Sequence, residues 1–136
     1  MTVTFANPDG MMQGVPYHHV AIASGTRHVH VSGQVARGAD GEPLGGADLA
    51  AQVGHALRNT ARGLNGVGAS FDDVVRLTFY VRGWEASMMP AFIEGLTRIA
   101  TEIGLPTPMP PASLIGVAAL FEPDVLVEVE ATAVLD

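Results

Sequence analysis

Hydrophobic and polar positions alternate most clearly in the C-terminal quarter. Val125 to Val134 is a valine-rich run in which Glu128 and Glu130 stand two apart, so both carboxylates leave one face of a strand. Before it, Pro110-Pro111 opens the apolar run Ala112 to Ala118, and the loop Phe121-Glu122-Pro123-Asp124 separates the two. Proline lacks an N–H and biases its predecessor away from helix, so this run is read as a strand. Upstream, Thr2–Phe5, Tyr17–Ala23, Arg27–Ser32 and Val74–Arg82 carry β-type patterns, with Ser24-Gly25-Thr26 short enough for a hairpin between the second and third. Two stretches have helical spacing. Asp48–Leu64 aligns Leu49, Val53, Ala56, Leu57, Thr60, Ala61 and Leu64 on one face, leaves Gln52 on another, and has Asp48 as its N-cap. Glycines from Gly63 onward are expected to stop it. Ala86–Ile103 aligns Met89, Phe92, Ile93, Leu96, Ile99, Ala100 and Ile103, with Pro90 confined to the first turn.

The order β-β-β-α-β-α-β-β predicts one two-layer α+β domain over residues 1–136, a mixed β-sheet with both helices on one face. Two helices cover one sheet face only, so a second copy of the chain in a symmetric ring is the economical cover for the other.

Composition narrows the function classes. The chain of 136 residues is 48% hydrophobic and 15% charged, which excludes a disordered segment. Seven basic residues, none of them lysine, face fourteen acidic ones for a net charge of −7, so nucleic acid is not an expected partner. No apolar run approaches the ~18 residues that span a bilayer, and Met1–Phe5 lacks the pattern of a secretory signal. The absence of cysteine excludes disulfides and thiolate chemistry, and a reducing cytoplasm is the expected location.

Metal and cofactor motifs are not apparent. His28 and His30 share a strand face, but no third ligand accompanies them and no metal is expected. The glycines at 38, 41, 45 and 46 lack the strand–glycine–helix context of a nucleotide loop, and neither Ser32 nor Ser113 sits in a G-x-S-x-G elbow. Glu128, Glu130, Tyr17 and Ser32-Gly33-Gln34 remain. Periodicity alone allows two readings: the solvated face of an edge strand with a capping tyrosine, or a cleft where one glutamate passes a proton to or from water.

Pro16-Tyr17, Val29-His30-Val31-Ser32-Gly33-Gln34, Asp48-Leu49-Ala50-Ala51-Gln52, Asp72-Asp73-Val74-Val75-Arg76-Leu77-Thr78 and Val127-Glu128-Val129-Glu130-Ala131 together resemble the reactive-intermediate deaminase (Rid/YjgF) family. The resemblance implies a chorismate-mutase-like fold and a homotrimer with clefts between subunits. It also implies cofactor-independent hydrolysis of imines and enamines such as 2-iminobutanoate and 2-aminoacrylate. Glu128 and Tyr17 fall on the catalytic positions, and Ser32, Gly33, Ala112, Ser113 and Leu114 on those that hold the substrate. Backbone N–H groups near Ser113 and Gly33 would steady developing charge.

One position departs from the family's pattern. Its active deaminases read Pro-Ala-Arg-Ser where this chain has Pro110-Pro111-Ala112-Ser113. The missing arginine would fork onto a substrate carboxylate. The chain therefore resembles an arginine-lacking subgroup, with weak turnover of 2-imino acids expected unless Arg76 or Arg27 compensates. The alternatives are a non-catalytic trimer that binds a small, apolar metabolite and, against the charge balance, a ribonuclease or translation inhibitor.

Overall fold

The structure, a computed structural model, describes residues 2–136. Its elements are β1 (Val3–Ala6), β2 (Val20–Ala23), β3 (Arg27–Gln34), α1 (Leu49–Asn65), β4 (Val74–Arg82), α2 (Met89–Ile103), β5 (Ala112–Val117) and β6 (Val127–Leu135). Single 3₁₀ turns at Phe71–Asp73 and Ala86–Met88 lead into β4 and α2. The main sheet has four strands in the order β3-β6-β4-β5, and β1 and β2 form a separate antiparallel pair. The β3–β6 and β6–β4 ladders are antiparallel, while β4–β5 is parallel, as its α2 crossover requires.

The expected hairpin at Ser24-Gly25-Thr26 does not form. β2 pairs with β1 and β3 with β6, so this short connection passes the chain from the small sheet to the large one. Its tightest point is Gly25, where an added Cβ would lie 2.4 Å from the Leu135 carbonyl oxygen. The second β-run is also shorter than its pattern suggested: Tyr17 makes only an isolated bridge to Met109, and the strand begins at Val20.

Helix α1 begins where its cap demands. The Asp48 carboxylate accepts from Ala50 N at 3.0 Å and Ala51 N at 3.5 Å. It runs through Gly63, packed under Val31, and stops at Gly66, whose N–H donates to Arg62 O at 2.9 Å. The buried face holds Val53, Ala56, Leu57, Thr60, Ala61 and Leu64 as the spacing predicts. Gln52, expected on another face, is instead 1% exposed. Helix α2 opens at Met89 with Pro90 in its first turn, and its buried stripe of Phe92, Leu96 and Ile99 includes Gly95. An added Cβ at Gly95 would stand 2.7 Å from Ala50 O and from Val53 Cβ, so this glycine lets the helices touch.

Both helices cover the same sheet face. Leu77, Phe79 and Val81 of β4 and Val127, Val129, Ala131 and Ala133 of β6 are buried against Leu57, Leu64, Phe92, Leu96 and Ile99. Each large side chain fully withdrawn from water here contributes about 1.5–3 kcal/mol. His28, His30, Ser32, Arg76, Tyr80, Glu128, Glu130 and Thr132 alternate with these residues or their neighbours and so belong to the opposite face. Among the described residues no helix is long and apolar enough to cross a membrane.

Candidate active site

Strand β6 is central, paired on both sides, so the reading of its glutamates as an edge-strand surface is corrected. Glu128 and Glu130 are half-buried on the helix-free face of the sheet. Tyr80 lies opposite Glu128 and Thr78 opposite Glu130. The Tyr80 hydroxyl reaches diagonally to donate to Glu130 Oε1 at 2.5 Å. That bond, burial and the negative charges of Glu130 and Glu128 raise the Tyr80 phenol above its ordinary range, with Arg76 opposing them. Glu130 is thus engaged, whereas Glu128 makes no side-chain hydrogen bond or ion pair among the described residues.

Glu128 instead packs on Gly33. The register of β3 against β6 slips between Val31 and Gln34, a bulge at the Ser32-Gly33 segment. A Cβ on Gly33 would lie 1.7 Å from Glu128 Oε1 and 2.5 Å from its Cδ. Gly33 is not at positive φ, so space rather than backbone conformation calls for glycine here. Ser32 lines a hollow of about 350 Å³ on the same sheet face with His30, Arg76, Thr78, Glu130 and Thr132.

The start of β6 is clamped to α1. Gln52 Nε2 donates to Gly46 O at 2.7 Å and Asp124 O at 3.0 Å, and Gln52 Oε1 accepts from Leu126 N at 2.9 Å. The Arg37 guanidinium donates to Asp124 at 2.7 Å, which holds the Asp124 carboxyl below its usual range. Spacing alone did not single out Gln52, Arg37 or Tyr80, because their partners lie far away in sequence.

The other expected site residues lie elsewhere. Tyr17 is held by backbone bonds from His18 N to Met109 O (2.8 Å) and from Met109 N to Pro16 O (2.9 Å). With Ala112, Ser113 and Leu114 it lines a pocket of about 260 Å³ under α2 and β5. β4 separates this group from β6, so Glu128 with Gly33 and Tyr17 with residues 112–114 form two separate groups in one chain. Of the arginines considered as substitutes, Arg27 donates to Asp136 O at 2.7 Å and Arg76 to the Ser113 hydroxyl at 2.6 Å. Neither lines the pocket at Ala112. No group of three or more His, Cys, Asp or Glu among the described residues is placed to hold a metal ion.

The Endoribonuclease L-PSP family model matches residues 11–135. A structure of the conserved Rid-family protein YyfB from Yersinia pestis is 37% identical, with a TM-score of 0.87 over 99% of this chain and 100% of that one. The chain belongs to the Rid/YjgF family. A YjgF/YER057c/UK114 family member from Mycobacterium tuberculosis is 29% identical over 98% of this chain and 99% of its own, with a TM-score of 0.60. The YjgF gene product of E. coli is 27% identical over 92% and 91%, with a TM-score of 0.68. Comparison with curated proteins returns no match. This Rid protein has the mixed sheet and paired helices of its structural neighbours.

Proposed function

We propose that this Rid protein hydrolyses a reactive imine or enamine, without a cofactor, at clefts between the subunits of a homotrimer. The observation that carries the reading is the Glu128 carboxylate, packed against Gly33 and without a side-chain partner among the described residues, while Glu130 is taken by Tyr80. An acceptor in that position can orient water and take its proton. Water oxygen bonds to the imine carbon, and Glu128 receives the proton that water gives up. That proton passes to the nitrogen, which has taken the C=N electron pair, giving a carbinolamine. Moving the hydroxyl proton to nitrogen then forms the C=O bond as the C–N bond breaks, releasing a carbonyl compound and ammonia. In this reading, backbone N–H groups near Gly33 and, from the neighbouring subunit, near Ser113 steady the developing charge.

Two features support the trimer. Among the described residues no helix packs on the second face of the main sheet, where His28, His30, Ser32 and Arg76 are exposed. The groups on either side of β4 are complementary in kind: an acid on one, a tyrosine and an apolar pocket on the other. In a ring, Glu128 and Gly33 of one subunit meet Tyr17 and Ala112 of the next. The family model's nuclease description finds little support in a lysine-free chain of net charge −7.

With an amine or amino-acid oxidase generating imines in situ, the protein should accelerate carbonyl release from some of them, and Glu128→Gln should lower that rate by about 10²–10⁴. Turnover of 2-iminobutanoate should be weak, because Ala112 offers its carboxylate no cation. Unchanged turnover by Glu128→Gln would sink the catalytic assignment. For the clefts, Glu128→Gln and Tyr17→Phe subunits should each be impaired alone yet recover part of the activity when mixed and reassembled. Absence of recovery, or a monomer by light scattering, counts against shared clefts.

A further inference from the structure

We infer that the pocket behind Ala112 receives an apolar substituent of the substrate, an aryl or branched alkyl group carried on the imine carbon. The inference rests on the imine-hydrolase reading and adds the substrate class. The pocket of about 260 Å³ is walled by Phe79, Met89, Phe92, Ile93, Met109 and Leu114. Its polar side chains are Tyr17 and Ser113, and no charged residue contributes to it. A carboxylate placed there would give up its water and meet no cation among the residues that line the pocket. A hydrocarbon group would gain about 25 cal/mol for each Å² withdrawn from water.

Size selects the class further. An apolar cavity of ~150 Å³ takes up benzene, so this pocket has room for a ring and a short linker. A second apolar hollow of about 340 Å³ runs along α2 and shares Pro16, Ile93 and Met109 with the first. Longer substituents therefore have somewhere to extend. Met89 and Met109, unbranched and adaptable, suit a site that accepts more than one apolar shape. Arg76 donates to the Ser113 hydroxyl at 2.6 Å and lines the hollow on the opposite sheet face. Ala112 leaves open the space that a longer side chain would close.

A matched pair of probes on the wild-type chain isolates the pocket from the chemistry: phenylacetamide, which is neutral, and phenylacetate, which has the same ring and a charge. Phenylacetamide should shift the Met109, Ile93 and Leu114 methyl NMR signals and bind at least about tenfold more tightly than phenylacetate, a difference of ~1.4 kcal/mol. Ala112→Leu should weaken the amide by a similar factor. In coupled assays, phenylacetaldimine made from phenethylamine by an amine oxidase should be hydrolysed at least about tenfold more efficiently than 2-iminobutanoate. Absence of methyl shifts, equal binding of the two probes, or intermolecular contacts showing a neighbouring subunit's side chain in the pocket would overturn the inference. If phenylacetamide binds as described but Glu128→Gln leaves every imine rate unchanged, the hydrolase reading fails and the pocket stands. If imines are hydrolysed with no preference for apolar groups, the pocket assignment fails and the hydrolase reading stands.

Discussion

Adding one methyl group at Gly33 tests whether the position of the Glu128 carboxylate matters to catalysis. In Gly33→Ala the new Cβ would sit 1.7 Å from Glu128 Oε1, against a comfortable carbon–oxygen approach of about 3.3–3.5 Å. The atoms it meets are the outer end of a flexible side chain, with Glu128 Cγ also at 2.7 Å, so the side chain rather than the backbone moves. Its oxygen must retreat by roughly 1.5 Å to restore ordinary contact. Gly33 is not at positive φ, so alanine brings no backbone strain, and the fold should lose less than about 1 kcal/mol. A displacement of that size at a proton-transferring group costs roughly 10²-fold in rate. The assay is the oxidase-coupled release of carbonyl product, run beside chemical denaturation of both proteins. A double variant with Glu128→Gln should be little worse than Glu128→Gln alone, since both changes disable one group. Near wild-type activity in Gly33→Ala would refute the placement of Glu128 as the water-handling group. So would a double variant whose losses multiply.

Other consequences concern stability and titration. Gln52→Leu would strand the Leu126 N–H and the Gly46 and Asp124 carbonyls, so denaturant midpoints should report a loss of about 2–4 kcal/mol. Gly95→Ala would force α1 and α2 apart against the Ala50 carbonyl and Val53, costing about 1–3 kcal/mol in the same measurement. With only two tyrosines in the chain, absorbance titration near 295 nm can resolve one phenol ionising above the ordinary value of 10.0, absent in Tyr80→Phe. Raising the folded pKa favours the protonated form, so this contribution to stability is complete below the unfolded value. It is lost as pH rises through the folded one. Asp124 behaves oppositely: its depressed pKa, held by Arg37, adds stability above the ordinary carboxyl range. That stability disappears as acid is added, so Arg37→Gln should flatten the acid limb of the thermal stability profile.

The sequence by itself determined the elements and the layer they build. Val53, Leu57 and Leu64, and Phe92, Leu96 and Ile99, recur at helical spacing, while Leu77, Phe79 and Val81 alternate, because burial of one face imposes those periods locally. Through resemblance it also named Glu128, Gly33 and Ala112 as candidates, whereas periodicity could not choose between a cleft and a solvated surface for Glu128. Tertiary structure decided what those residues meet. Placing β6 between β3 and β4, diverting β2 to β1, burying Gln52 under the β6 loop and bringing Gly33 onto Glu128 all join segments distant along the chain. Such pairings follow from strand order, register and loop closure rather than from any local pattern, since a period of two specifies a face but not a neighbour. Packing consequently gathers residues far apart in sequence into two groups on either side of β4, Glu128 with Gly33 and Tyr17 with residues 112–114.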